Sequence, residues 1–246
     1  MVLKILIRFY RWWQTQMNWL WRRWTRWPPI GAVDFGDLSR LTPISRNFGL
    51  DRGLPIDMYY IENFLTQYRQ DIRGRALEIG DPRYIRQFGG ESVLAYDVLH
   101  VSLRKPEVTI IGDLTNAAQI PSDHYDCIIL TQTLQLIYEF DDAIRTIYRI
   151  LKPGGVLLAT FPGCSQVVHP NVLEEWDDYW RFTDKAAQRI FTEVFAPEQI
   201  LVQTYGNVMT VTASLYGLAA GELSPEALDY HDPDYQVSIG VRAVKP

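Results

Sequence analysis

The stretch RALEIGDPRYIRQFGG, residues 75–90, contains the pattern on which the fold assignment depends. The apolar run Ala76–Ile79 predicts a buried strand, and Gly80 directly after it predicts a tight turn. Tyr84–Phe88 then indicates a short helix. In an open parallel sheet, the turn after such a strand lies at the edge where ligands bind. The stretch therefore predicts a ligand-binding loop, although a loop that cradles a pyrophosphate would need more glycines.

Strands and helices alternate from this loop onward. The predicted strands are Ala76–Ile79, Ser92–Tyr96, Val108–Ile111, Tyr125–Leu130, Val156–Phe161, Ile200–Gly206 and Tyr235–Val244. The predicted helices are one that is N-capped by Asp57 and runs to about Ile72, then Tyr84–Phe88, Asp141–Leu151, Ala186–Val194 and Val211–Ala220. This alternation predicts an α/β fold with a Rossmann-like, doubly wound sheet of seven strands. We expect the sheet to be mostly parallel, with an antiparallel last strand and helices on both faces.

The composition restricts the class of protein. The chain has 246 residues, 47% of them apolar, which fits one domain with an extension. Its net charge is −5, and the acidic part lies beyond the first 30 residues, so nucleic acid is not an expected partner. Two cysteines do not make a disulfide framework, and a reducing, cytoplasmic compartment is expected. No Cys/His cluster has the spacing of a zinc site.

The first 27 residues contain six of the eight tryptophans, and the first 30 carry six basic and no acidic residue. The charges recur too often for a membrane-spanning helix. Residues 1–30 therefore predict a basic, Trp-rich amphipathic helix that lies in a membrane interface, peripheral on the inner face of the cell membrane. Packing on the protein's own domain or on a partner chain is the alternative. Residues 31–56 predict an irregular cap segment, and residues 57–246 the α/β domain.

Acidic residues mark three successive strands of the predicted sheet. Glu78 lies in the first strand, Asp97 ends the second about 20 residues later, and Asp113 follows the third. We expect these carboxylates to converge on one crevice. Asp97 would accept hydrogen bonds from both hydroxyls of a ribose. Asp113 would accept one from an adenine amino group, with Leu114 packed on the ring.

Five motifs carry a resemblance to a known family. They are LEIG (77–80), Asp97, GDL (112–114), YDCIIL (125–130) and LKPGGVLLATFPG (151–163). In this set the chain resembles the class I S-adenosylmethionine-dependent methyltransferases, in particular the type 11 group, over about residues 57–163. In addition, SRNFGLDRGLPIDMYYIENFL (45–65) and DYWRFT (178–183) are similar to methyltransferase-like proteins associated with bacterial glycosyltransferases.

The resemblance implies S-adenosylmethionine as the cofactor. The residues expected to bind it are Glu78, Gly80, Asp81, Asp97, Asp113, Leu114 and Thr131. The first loop departs from the family pattern, because Pro82 and Tyr84 stand where further glycines are usual. The loss is tolerable, since this sulfonium cofactor has no pyrophosphate to cradle. The same loop argues against a nicotinamide oxidoreductase.

The acceptor side is expected after the fourth and fifth strands. Gln132 would position the acceptor, and His169 and Asp177 are the candidate catalytic groups, His169 as a base. Aromatic side chains interleaved with carboxylates over residues 171–182 suit a sugar. Alternatively, Trp176 and Trp180 pack on the core and His169 is a surface residue.

Together these features predict methyl transfer, by O-methylation, to a small-molecule or glycan-type acceptor. A glycosyltransferase is a possible partner. The alternative is a catalytically inactive methyltransferase-fold protein that accompanies a glycosyltransferase at the membrane, with Tyr84 filling the cofactor space.

Overall fold

A computed structural model describes residues 10, 12–17, 21, 28–29, 31–102, 106–168 and 177–246. They fall in two compact units, Met1–Thr42 and Pro43–Pro246. In the first unit, Tyr10, residues 12–17 and Trp21 are helical, as predicted, and the rest of the predicted N-terminal helix lies outside the described residues. Across all the residues given above, no helix combines the length and the apolar character needed to cross a membrane.

The second unit is built on a seven-stranded sheet with the order β3-β2-β1-β4-β5-β7-β6. The strands are β1 Gly74–Ile79, β2 Val93–His100, β3 Ile110–Ile111, β4 Tyr125–Thr131, β5 Leu151–Pro162, β6 Ile200–Tyr205 and β7 Ser238–Val244. The pairs among β1 to β5 are parallel, whereas β7 runs antiparallel to β5 and β6. The predicted fold class is therefore confirmed, including the antiparallel last strand.

Helices lie on both faces of this sheet. They are α1 Ile56–Gln67, α2 Phe140–Ile150, α3 Asp184–Phe191, α4 Val208–Leu215 and α5 Pro225–Asp229, with a π-helical turn at Ile85–Gly89. One core contains Ile147 of α2 and Phe191 of α3 against one face, and a second core contains Phe64 of α1 and Ile85 against the other. Because the central strand β4 is covered on both faces, its residues Cys127–Leu130 form a continuous apolar run.

The boundaries of α1 differ from the prediction. The helix begins at Ile56 with Pro55 as its N-cap, so Asp57 lies in the first turn and is not the cap. It ends at Gln67, because the chain then tightens into a 3₁₀ turn at Arg69–Asp71 before entering β1. As a consequence, the Asp57 side chain lines the cavity described below.

Candidate functional site

The carboxyl ends of the parallel strands surround a cavity of about 770 Å³. The strands and the turns after them contribute Glu78, Ile79, Gly80, Asp81, Leu99, His100, Gly112, Asp113, Leu114, Thr131, Gln132 and Pro162 to its lining. The strand order reverses between β1 and β4, and this is the place where open α/β sheets bind ligands. The volume lies in the usual range for ligand pockets.

Glu78 fixes the turn after β1. Its side chain is buried and accepts hydrogen bonds from the backbone N–H groups of Tyr84, at 3.0 Å, and Ile85, at 2.8 Å. Gly80 has a φ of +98°, which side chains rarely tolerate, and the space beside its Cα is open. Burial raises the pKa of Glu78 to about 7, while the two backbone hydrogen bonds oppose that shift. The loop therefore combines a close backbone approach with a carboxyl group that titrates near neutrality.

Pro82 and Tyr84, which replace the usual glycines, fit this loop. Pro82 uses its carbonyl to accept a hydrogen bond from Arg86 N at 3.1 Å, and the first turn of a helix does not need its missing N–H. The Tyr84 side chain is 6% exposed and packs in the apolar core with Ile61 and Phe88. Tyr84 is also one of the residues that line the open cavity.

The structure contradicts the placement predicted for Asp97. β2 continues to His100, so Asp97 lies three residues before its end and does not line the cavity. Its carboxylate instead accepts hydrogen bonds from Arg75, at 2.9 Å, from Tyr125 Oη, at 3.1 Å, and from Thr109 Oγ1, at 3.2 Å. These partners join neighbouring strands to β2. Asp97 thus stabilises the sheet, and the expectation that it meets Asp113 in one crevice is wrong.

His100 occupies the position that was assigned to Asp97. It is the last residue of β2 and lines the cavity. Its Nδ1 lies 3.0 Å from both the backbone nitrogen and the backbone oxygen of Ser102, so the turn after β2 holds the ring in place. Sequence reasoning missed His100 because it ended the strand at the first acid. The signal was the apolar pair Val98–Leu99, which extends the strand beyond Asp97.

The remaining residues predicted for the cofactor do line the cavity. Asp113 accepts a hydrogen bond from Thr115 N at 2.9 Å through Oδ1, and in the described part of the chain its Oδ2 has no partner. Leu114 is 4% exposed and presents an apolar wall beside it. Asp81 lies in the loop after β1, and Thr131 ends β4. An apolar wall next to a carboxylate oxygen fits a purine with an exocyclic amino group.

The acceptor-side predictions separate into three cases. Gln132 lines the cavity and has a φ of +47°, in the left-handed region. Asp177 does not line the cavity, and its carboxylate accepts a hydrogen bond from Tyr179 Oη at 3.0 Å. His169 lies outside the described residues. The structure therefore brings Gln132, but not Asp177, to the site.

Three other residues of this segment have structural roles. The Arg181 guanidinium binds both carboxylate oxygens of Asp178, whose side chain is 1% exposed, so the charge of this cavity-lining acid is compensated. Trp180 donates through Nε1 to the carbonyl of Ile137 at 3.1 Å and packs edge-on against Phe140. The interpretation of Trp180 as a core residue is confirmed, and Trp176 lies outside the described residues.

Comparisons with known proteins agree with this geometry. Residues 81–159 match the family described as a methyltransferase domain. The crystal structure of an S-adenosylmethionine-dependent methyltransferase from Archaeoglobus fulgidus superposes with a TM-score of 0.52, at 9% identity, over 76% of this chain and 94% of that one. At this identity the superposition shows the fold alone.

Two curated relatives from Dictyostelium discoideum match a shorter stretch. "Probable polyketide synthase 5" is 26% identical over 77 residues, which cover 31% of this chain and 3% of the synthase. "Probable polyketide synthase 14" is 30% identical over 71 residues, which cover 29% of this chain and 2% of the synthase. The chain therefore spans only a small part of the relatives it matches.

The matched domain, the strand order with its antiparallel β7, and the cavity at the carboxyl ends of the parallel strands all lead to one assignment. Over residues 81–159 the chain resembles the methyltransferase-domain family, and its Rossmann-like fold is the one seen in S-adenosylmethionine-dependent methyltransferases.

Proposed function

We propose that this protein transfers a methyl group from S-adenosylmethionine to a hydroxyl oxygen of a small-molecule or glycan-type acceptor. The observation that carries the proposal is the open cavity between the Glu78–Gly80 turn and the Asp113–Leu114 wall. The bound cofactor supplies an electrophilic methyl group on a sulfonium. The packing of Tyr84 in the apolar core beside an open cavity supports an active enzyme over the inactive alternative.

The chain's own residues would hold the cofactor along the edge of the sheet. Asp113 would accept a hydrogen bond from the adenine amino group, with Leu114 against the ring. His100 would take the place near the ribose that was predicted for Asp97, because it ends β2. Glu78 would hold the turn after β1 in place through its two backbone hydrogen bonds. Gly80, Asp81 and Thr131 also line the cavity.

Methyl transfer to a hydroxyl group requires that its proton be removed. Asp178 is a poor base, because its carboxylate is already paired with Arg181. His169 stays our candidate for this role. Gln132 would orient the acceptor for in-line attack, which is the main contribution of an enzyme to this chemistry.

Aromatic side chains support a sugar or another ring as the acceptor. Tyr138 and Tyr179 line the cavity, are 58% and 46% exposed, and pack edge-on with their ring centroids 5.3 Å apart. Exposed aromatic faces beside polar groups suit a ring that carries both C–H faces and hydroxyls.

The N-terminal helix supports a site of action at a membrane surface. Its described aromatic residues Trp12, Trp13 and Trp21 are exposed, and the segment carries six basic residues. Such a helix suits an interface with anionic lipid. A lipid-linked acceptor, and an association with a glycosyltransferase, would explain why a methyltransferase carries it.

Incubation with S-adenosylmethionine labelled in its methyl group tests the proposal. The full chain should transfer label to a hydroxyl-bearing component of a glycan, glycolipid or small-molecule extract. Label on a hydroxyl-derived oxygen, located by mass spectrometry of the product and stable to alkaline ester hydrolysis, identifies methylation of a hydroxyl group. No transfer to any fraction by a protein that binds the cofactor would favour the inactive partner instead.

A further inference from the structure

Two glutamine side chains meet on the acceptor side of the cavity. Gln132 directly follows β4, and Gln135 lies in the 3₁₀ turn Leu134–Leu136. Both line the cavity, and the Gln135 side chain is buried, with 6% of the residue exposed. Gln135 Nε2 donates to Gln132 Oε1 at 3.4 Å. The two amides therefore form one polar unit.

This pair leaves two buried atoms without partners. Within the described part of the chain, neither Gln132 Nε2 nor Gln135 Oε1 has a hydrogen-bond partner. A buried polar atom without a partner costs about 1–3 kcal/mol, so proteins seldom keep one without a use for it. Interchanging oxygen and nitrogen in both amides preserves the bond between them and still leaves one donor and one acceptor. The pair thus offers a ligand one hydrogen-bond donor and one hydrogen-bond acceptor.

The backbone holds the pair in place from both sides. Gln132 N donates to the Thr160 carbonyl of β5 at 2.9 Å, which fixes its left-handed conformation. The Gln135 carbonyl accepts hydrogen bonds from Tyr179 N at 2.8 Å and Trp180 N at 3.2 Å. A non-glycine residue held in this conformation at a cavity is a recurrent feature of functional sites.

The chemistry of the two atoms identifies the group that they fit. A hydroxyl both accepts and donates, so it satisfies the amide N–H and the amide oxygen together. A carboxylate only accepts and an ammonium only donates, so each would leave one buried atom unsatisfied. The Asp178–Arg181 pair in the same cavity is compensated, but other acids such as Glu139 also line it, so the exclusion of an ammonium rests on the two amide atoms alone.

We infer that Gln132 and Gln135 together bind a hydroxyl group of the acceptor and select neutral, hydroxyl-bearing acceptors over amines and carboxylates. The inference rests on the proposed function, since it names the substrate class of the same site. It assigns both residues as positioning residues that recognise a neutral donor–acceptor group.

The test uses the full chain, labelled with ¹⁵N and saturated with S-adenosylhomocysteine. Three matched probes are added in turn: methyl glucoside, its 6-amino analogue and methyl glucuronide. The readout is the shift of the side-chain amide resonances of Gln132 and Gln135, which the single variants Gln132→Glu and Gln135→Glu assign. We expect the neutral glucoside to shift both pairs of resonances and to bind about tenfold more tightly than the two charged probes.

Variants separate recognition from folding. Gln132→Glu replaces the N–H donor by an oxygen of similar shape and should weaken glucoside binding about tenfold. Gln132→Met removes the polar group altogether and should also weaken glucoside binding about tenfold. This second variant is needed because a protonated glutamate still donates a hydrogen bond. Gln70→Glu adds the same charge at an exposed position away from the cavity and should leave binding unchanged.

Equal affinity for the three probes, or no shift of the two amides with any of them, overturns the inference. Binding of S-adenosylhomocysteine is measured in parallel for every variant. If the unmodified chain does not bind S-adenosylhomocysteine, the proposed function itself is contradicted. Intact cofactor binding without discrimination contradicts only the role of the two glutamines.

Discussion

At the scale of single residues, Glu78 both stabilises a turn of the fold and lines the candidate site. Its carboxylate caps the turn that starts at Tyr84, yet the same burial raises its pKa to about 7. The group lies at the cavity, where a raised pKa is a common companion of function. We therefore expect the charge state of Glu78 to affect both the stability of the protein and the conformation of the loop after β1.

The pH dependence of stability tests this residue. Because the pKa is raised from 4.5, folding favours the protonated form, so the stabilisation is complete below pH 4.5 and is lost as the pH rises through about 7. This group should lower the free energy of unfolding by about 3 kcal/mol between pH 4 and pH 8. Urea unfolding of the wild type and of Glu78→Gln at both pH values measures the contribution. Equal pH dependence in the two proteins would contradict it.

Single residues also show where sequence reasoning reached its limit. Glu78, Gly80, Asp113 and Leu114 were predicted at the cavity edge because each lies beside or directly after the end of an apolar strand, and they line the cavity. The prediction for Asp97 was wrong because an acid inside a strand cannot be distinguished in sequence from an acid at the end of the strand. Only the pairing of Asp97 with Arg75 distinguishes a sheet-stabilising carboxylate from a ligand-binding one.

At the scale of elements, the register of β2 decides which side chain reaches the cavity. β1 and β2 pair from Leu77–Asp97 to Ile79–Leu99, so the last residue of β2 lies beyond Asp97. The existence and direction of the strands followed from their apolar runs. The position of a strand end depends on hydrogen bonds to its neighbour, which the sequence does not display.

The packing of α1 on β7 gives a second test at this scale. A Cβ on Gly240 would lie 2.6 Å from Cδ2 of Phe64, a fully buried residue of α1. Gly240→Ala should therefore lower the free energy of unfolding by about 1–3 kcal/mol, as other overpacked cores do. Denaturant unfolding measures this loss.

Gly221→Ala is the matched control. Its Cβ would meet nothing within 4 Å, and its φ is not positive. Its free energy of unfolding should stay within about 0.5 kcal/mol of the wild type. Equal effects of the two substitutions would show that α1 is not held against β7 as described.

At the scale of the whole molecule, the two compact units suggest a division of labour. The second unit contains the sheet and the cavity, and the first contains the exposed tryptophans. The alternation of strands and helices in the sequence predicted the seven-stranded, mostly parallel sheet with its antiparallel last strand. The role of the first unit is still a prediction, with a membrane interface favoured by its amphipathic pattern and a protein partner as the alternative.

Vesicle sedimentation distinguishes these roles. The full chain should sediment with vesicles that contain anionic lipid and should be released as salt screens the basic residues of its first 30 positions. Removal of residues 1–28 should abolish sedimentation, and vesicles of neutral lipid should retain the full chain less well. If the shortened chain sediments equally well, the anchor is elsewhere. If removal of residues 1–28 changes the molecular mass of the assembly in solution but not its sedimentation with vesicles, the segment binds a protein partner.

The central claim is that the carboxyl-end cavity binds S-adenosylmethionine, and calorimetric titration of the full chain with this cofactor tests it most directly. We predict saturable binding of one equivalent and no binding of NADH in a parallel titration. Asp113→Ala should weaken the affinity by about tenfold or more, because it removes a hydrogen bond to the ligand. Asp97→Ala should leave the affinity within about twofold and should lower the thermal stability, because its partners lie in the sheet. No heat with the cofactor, or loss of affinity in Asp97→Ala but not in Asp113→Ala, would contradict the site described for this protein.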